Sequence, residues 1–154
     1  MSFTIRSEAF REGGSIPAEH TCDGVDRSPP LSWSGEPPAT KSFALIVHDP
    51  DAPSGDWVHW LLYDVPGGQR EVPGGVRTRP TNAGLGTQGT NDFRRVGWGG
   101  PCPPRGAAHV YRFRLIAVDA MLGLPPGLTR DRLLAALRGH VLAEAELTAR
   151  YQRR

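Results

Sequence analysis

The chain has 154 residues, of which 38% are hydrophobic and 22% charged, and its formal net charge is +2. That length favours one domain, residues 1–154, with enough chain to bury a core without staples. The small charge argues against a nucleic-acid partner, because the basic residues are scattered. Their one tight cluster, Arg150, Arg153 and Arg154, reads as a solvated tail.

The opening "MSFTIRSEAFREGG" lacks the apolar stretch of a leader peptide, and no run approaches the roughly 20 apolar residues of a membrane helix. A cytoplasmic protein without a transmembrane segment is expected. "SFTI" suggests a short first strand. "IPAEHTCDGVDRSPPLSW" reads as loop, broken at Asp23-Gly24 and Pro29-Pro30. "KSFALIVHD" and "WVHWLLYDV" follow as two strands apolar enough to be covered on both faces. "VPGGQREVPGGV" repeats a turn phrase around a short linker. Residues 77–108 hold no clear element, and a loop of that length usually carries function or packs on itself.

"HVYRFRLIAVD" then alternates. His109, Tyr111, Phe113, Leu115 and Ala117 share one face, with Arg112 and Arg114 on the other. The final "TRDRLLAALRGHVLAEAELTAR" predicts one long helix over 129–150, with Thr129 as N-cap and Leu134, Leu137, Val141 and Ala145 on its packed side. Gly139 weakens its middle by about 1 kcal/mol. The class is therefore mainly β (α+β): a β-sandwich or large sheet with a C-terminal helix.

Three motifs invite a functional reading. "GLGTQG", Gly84 to Gly89, matches a dinucleotide fingerprint in letters only. It follows no strand, opens no helix and has no acidic residue about 20 positions on; its glycines serve turns. Cys22 and Cys102 fit no zinc spacing and read as buried free thiols, since a bridge would require two distant loops to meet. The stretch "HDPDAPSGDWVHWLLYDV" crowds Asp49, Asp51 and His59 between two apolar strands. Asp49 and Asp51 are two apart, so an extended backbone points both carboxylates the same way. If the flanking strands pair as a hairpin, His59 returns beside the acids, and His109 and Tyr111 can reach the same place.

"DPDAP" with "WVHW", and later "GTNDFRRVGWGGPCPP" and "GPCPPRGAAHVYRF", resemble the phosphatidylethanolamine-binding protein family, and more closely its bacterial, Raf-kinase-inhibitor-like branch. The early "IPAEHTCDGVDRSPPLSW" resembles it too, so the likeness runs from about residue 3 to residue 150. His20 departs from it, standing at the pocket rim where the branch often has Tyr. The resemblance implies a β-sandwich-like fold and a small anion or phosphate pocket built from Asp49, Asp51, His59, Pro103, Pro104, His109 and Tyr111. It implies a non-enzymatic binding protein, in some members regulatory, for a phospholipid head group or a phosphorylated partner, with no cofactor and no metal. Homodimers are common among bacterial relatives.

Two aspartates are an odd choice for a phosphate site. Either a histidine supplies the compensating charge, or one carboxyl keeps its proton and donates. On this reading phosphate-type ligands bind more weakly as pH rises from about 5 to 8. Two other chemistries remain open. An acid–base hydrolase could use the Asp/His cluster, though no G-x-S-x-G elbow is present. A metal site could use two Asp and two His, though without a familiar spacing.

Overall fold

The computed structural model describes residues 2–154. Strands β1 (Thr4–Arg6), β2 (Leu31–Ser34) and β5 (Glu71–Val72) form a small antiparallel sheet in the order β1-β2-β5. The larger sheet comprises β3 (Ser42–Asp49), β4 (Trp57–Pro66), β6 (Thr81–Asn82), β7 (Gly86–Gln88), β8 (His109–Val118) and β9 (Val141–Tyr151). Its order is β6-β7-β4-β3-β8-β9, and every pairing is antiparallel. One α-helix, α1 (Arg130–Leu137), completes the described residues. The expected class is the observed one: mostly β with a helix near the C-terminus.

The two central strands explain the layering. All of β3 is buried, and its alternation sends the side chains two ways. Phe43, Leu45 and Val47 enter the core between the sheets, with Trp33, Trp60, Phe113 and Leu115. Ala44 and Ile46 face the opposite side, where Leu133 and Leu137 of α1 cover them together with Leu61 and Tyr63. A sheet covered on both faces needs continuous apolar strands, which is what "FALIV" supplies.

Four expectations are corrected. First, residues 129–150 are not one helix. Gly139 adopts φ +84°, the chain turns, and Val141–Tyr151 becomes β9. Thr129 makes no side-chain cap hydrogen bond. The helical spacing concealed a second period. Ala145, Leu147 and Ala149 alternate into the core, whereas Val141, expected on the packed face, is 48% exposed. The open edge of β8 decided the matter: β9 pairs with it from His109↔Tyr151 to Val118↔Val141. Such a ladder outweighs helix propensities of a few tenths of a kcal/mol per residue.

Second, the "IPAEH…LSW" loop ends in β2, and the 77–108 stretch contains β6 and β7. "GLGTQG" makes the turn and second strand of that hairpin, with Gly84 and Gly86 at positive φ. Third, the C-terminus is not a free tail. Arg153 Nε lies 3.2 Å from Asp23 Oδ1, its carbonyl accepts from Gly106 N at 3.1 Å, and Arg150 N donates to Gly14 O at 2.7 Å. Fourth, Cys22 and Cys102 are not free thiols. They form a disulfide across 80 residues of sequence, with both cysteines at the surface. The loops meet because Cys22 N donates to Pro101 O at 3.1 Å beside the bridge.

Candidate functional site

The larger sheet ends in a pocket of about 200 Å³, on the face that carries the inter-sheet core. Asp49 is the last residue of β3 and follows Phe43, Leu45 and Val47 on that face. His109 and Tyr111 open β8 and precede Phe113 on the same face. Period-two geometry alone therefore aims all three into one place.

His59 arrives differently. Val47 pairs with Trp60 and His48 with Val58, so His59 has no partner on β3. It is the extra residue of a β-bulge. Strict alternation from Trp60, a core residue, would send residue 59 to the helix side. The bulge sends it back, and its ring sits 5.2 Å from that of Tyr111 and 5.5 Å from Phe93. Its Nδ1 donates to Gly99 O at 2.6 Å, which leaves Nε2 as its free polar atom.

The acids divide the work. Asp49 is 3% exposed. Its Oδ1 accepts from Asp51 N at 2.8 Å and its Oδ2 from His109 Nδ1 at 2.7 Å. The first bond is the turn that Asx residues make with the backbone two positions on. The second fixes the His109 tautomer, with the proton on Nδ1. Asp51 is exposed and does not line the pocket. Its Oδ2 accepts from Val110 N at 3.1 Å, tying the 49–53 turn to the start of β8.

Burial sets the charge states. It pushes the His59 pKa below the ordinary imidazole value, against the opposing pull of the Gly99 carbonyl and of Asp49 and Asp26. His59 is thus the neutral member of the site and not the compensating cation. Burial also drives Tyr111 far above the usual phenol range, with Asp49, Tyr151 and Asp51 adding to the rise. Its O–H stays protonated, and it makes no hydrogen bond to the described chain.

The remaining wall is a loop held at several points. Pro103 and Pro104 line the pocket as expected, next to the bridged Cys102. Asp26, at φ +58°, accepts from Trp98 Nε1 at 3.1 Å and from Gly100 N at 3.0 Å. A Cβ on Gly100 would stand 2.1 Å from Asp26 Oδ1 and 2.4 Å from His20 O, so only glycine fits there. His20 itself is buried behind this loop, bonded to Arg27 O at 2.9 Å, and is not at the pocket rim.

Of the seven expected residues the pocket gathers six, all but Asp51. Sequence reasoning missed Trp57, Phe93 and the 52–54 turn. Trp57 was within reach, because it pairs with Asp49 across the hairpin. Phe93 gave no periodic signal, since it lies in a loop. Among the described residues, no Lys or Arg lines the pocket. Among the described residues, no group of three or more His, Cys, Asp or Glu is placed to hold a metal ion. Ser54 lines the pocket, but its hydroxyl bonds to neither histidine, so the nucleophile–base contact of a hydrolase is not made.

The profile of one family, described as phosphatidylethanolamine-binding protein, matches residues 6–152. A UPF0098 protein of Methanothermobacter thermautotrophicus is 45% identical over 97% of this chain and 98% of its own. One from Aquifex aeolicus is 46% identical over 97% and 88%. Two crystal structures share the architecture. The phosphatidylethanolamine-binding protein homologue CT736 of Chlamydia trachomatis superposes with a TM-score of 0.90 at 37% identity, covering 99% of both chains. YbcL of E. coli, described as a member of the mammalian family, gives 0.90 at 33% identity over the whole of both.

Proposed function

The chain belongs to the phosphatidylethanolamine-binding protein family, and from that premise we propose that it is a non-enzymatic binding protein whose pocket takes a small phosphate-type anion. The observation that carries this reading is the convergence of Asp49, His59, His109 and Tyr111 in a pocket of about 200 Å³, with the Tyr111 hydroxyl and His59 Nε2 left without protein partners. Neither atom is committed to the rest of the described chain, so both are free to meet a ligand. The pocket suits a head group: a tetrahedral oxyanion at the Tyr111 and His109 end, with Asp49 near enough to attract an attached ammonium.

Asp51 belongs to the reading as a positioning residue, through its bond to Val110 N. The regulatory version, in which the same pocket docks a phosphorylated protein segment, uses the same groups. A pull-down with competing inorganic phosphate separates it from small-ligand binding. The Cys22–Cys102 bridge favours an oxidising compartment over the cytoplasm expected from the sequence. No helix of the described residues is long and apolar enough to cross a membrane.

Thermal unfolding with inorganic phosphate, phosphorylethanolamine and glycerophosphoethanolamine tests the reading. A ligand at 100 times its Kd stabilises the native state by about 2.7 kcal/mol, enough to raise Tm by several degrees. The wild type gains this shift and His109→Ala loses it. A wild type indifferent to all three compounds removes the phosphate reading.

A further inference from the structure

The pocket reads protons as well as shape. Its polar side-chain groups are the hydroxyls of Tyr111 and Ser54, the Trp57 Nε1–H, one free ring nitrogen on each of His59 and His109, and the outer lone pairs of Asp49. His59 Nδ1 is committed to the Gly99 carbonyl and its ring is neutral, so Nε2 can only accept. Asp49 can only accept. Tyr111, Ser54 and Trp57 carry donors, and His109 Nε2 is one only in the doubly protonated ring. No Lys or Arg of the described residues lines the cavity, and where His59 Nε2 and Asp49 face it the protein offers acceptors.

A ligand made only of acceptors cannot satisfy that side. We propose that the pocket selects oxyanions that carry a proton of their own, namely phosphate monoesters in the monoanionic form, over sulfate esters and phosphodiesters. This rests on the phosphate reading of the same site. All three ligand classes carry one negative charge and a tetrahedral centre, so Coulomb attraction and fit are nearly equal among them. They differ in one hydrogen. The monoester P–O–H donates to His59 Nε2 or to Asp49, and the sulfate ester and diester have nothing to donate. A site built around a hydrogen bond rejects the analogue that lacks it, because the bound analogue covers the acceptor and leaves it unpaired.

The second ionisation of a phosphate monoester lies near pH 6, so the favoured species fades as pH rises above it. The groups that face His59 while this happens are Asp49 from β3, Tyr111 from β8 and Asp26 from the loop beneath Gly100. His109 faces Asp49 and Tyr111.

Isothermal calorimetry at a pH of about 6, near that ionisation, on the oxidised wild-type chain compares three probes: phosphorylethanolamine, ethanolamine O-sulfate and glycerophosphoethanolamine. The ammonium is common to all, and the diester arm separates a lipid head group from a free monoester. The expected result is at least a tenfold preference for the monoester over both others, equal to about 1.4 kcal/mol. Repeating the monoester titration in two buffers of different ionisation enthalpy at neutral pH reveals net proton uptake. His59→Gln, which presents an amide where the bare nitrogen stood, narrows the preference. The wild-type comparison stands even where that variant fails to fold. Equal binding of monoester and sulfate ester, or of monoester and diester, overturns the selection while leaving the phosphate reading intact. Binding of none of the three overturns both.

Discussion

Strand β8 carries a histidine–aspartate pair at each end. His109 Nδ1 meets Asp49 Oδ2 at 2.7 Å where the strand begins, and His140 Nδ1 meets Asp119 Oδ1 at 2.7 Å just past its end. The distances are the same and the consequences differ. In the first pair the side chains are 12% and 4% exposed, in the second both are 40%. Water competes freely for the exposed pair and salt screens it, so it contributes a few tenths of a kcal/mol at most. The buried pair has no such competitor. Removing one member strands the other, and the bond orients an imidazole towards a cavity. What sets this pair apart is burial, not the presence of a histidine and an acid.

The comparison is most severely tested through the wall around the buried end. Reducing the Cys22–Cys102 bridge, or replacing Cys102 by Ser, frees a loop of 80 residues and costs about 4 kcal/mol on the chain-entropy account. Urea denaturation with and without reductant reads it directly. An unchanged midpoint would mean that the hydrogen bonds of Asp26 and Pro101 hold the wall alone.

Next comes the pair itself. Asp49→Ala leaves the His109 ring and Asp51 N without partners and costs about 3 kcal/mol, while Asp119→Ala stays within about 0.5 kcal/mol of the wild type. Equal losses in the two variants would contradict the role given to burial.

Acid should weaken the pocket end more than the far end. The His59 pKa is lowered by folding, so the native state binds fewer protons there than the unfolded chain does. The stability contributed by keeping it neutral is complete above the unfolded value of about 6.5, and is lost as pH falls through the folded value. His59→Phe flattens that slope in Tm measured across this window. A slope identical to wild type assigns the acid sensitivity to other groups.

Tyr111→Phe is the finest probe. The hydroxyl holds no partner in the described chain, so the variant keeps wild-type stability. Phosphorylethanolamine affinity falls by about five- to tenfold, the worth of one ordinary hydrogen bond. A variant that instead loses stability would show the hydroxyl to be structural.

Much of the site was legible because its residues lie on regular strands. Asp49, His109 and Tyr111 continue the inward face of β3 and β8, and Pro103 and Pro104 stand in the family motif. Asp51 stays outside the pocket lining for a simple reason. Parity aimed it correctly towards β8, but a backbone N–H reached its carboxylate first. His59 reaches the pocket by more than the hairpin that the sequence suggests: the hairpin returns it, and only the bulge turns it inward.

Composition and period by themselves determined the layered β architecture, the buried central strands and the turns, since each depends on neighbours a few residues away. The tertiary structure decided the rest. Residues 141–151 became a strand because β8 offered an open edge, two remote cysteines met because their loops pack together beside the pocket, and one of two matched His–Asp pairs lost its water and came to line that pocket. Each outcome depends on groups far apart in sequence, and local pattern carries no record of them.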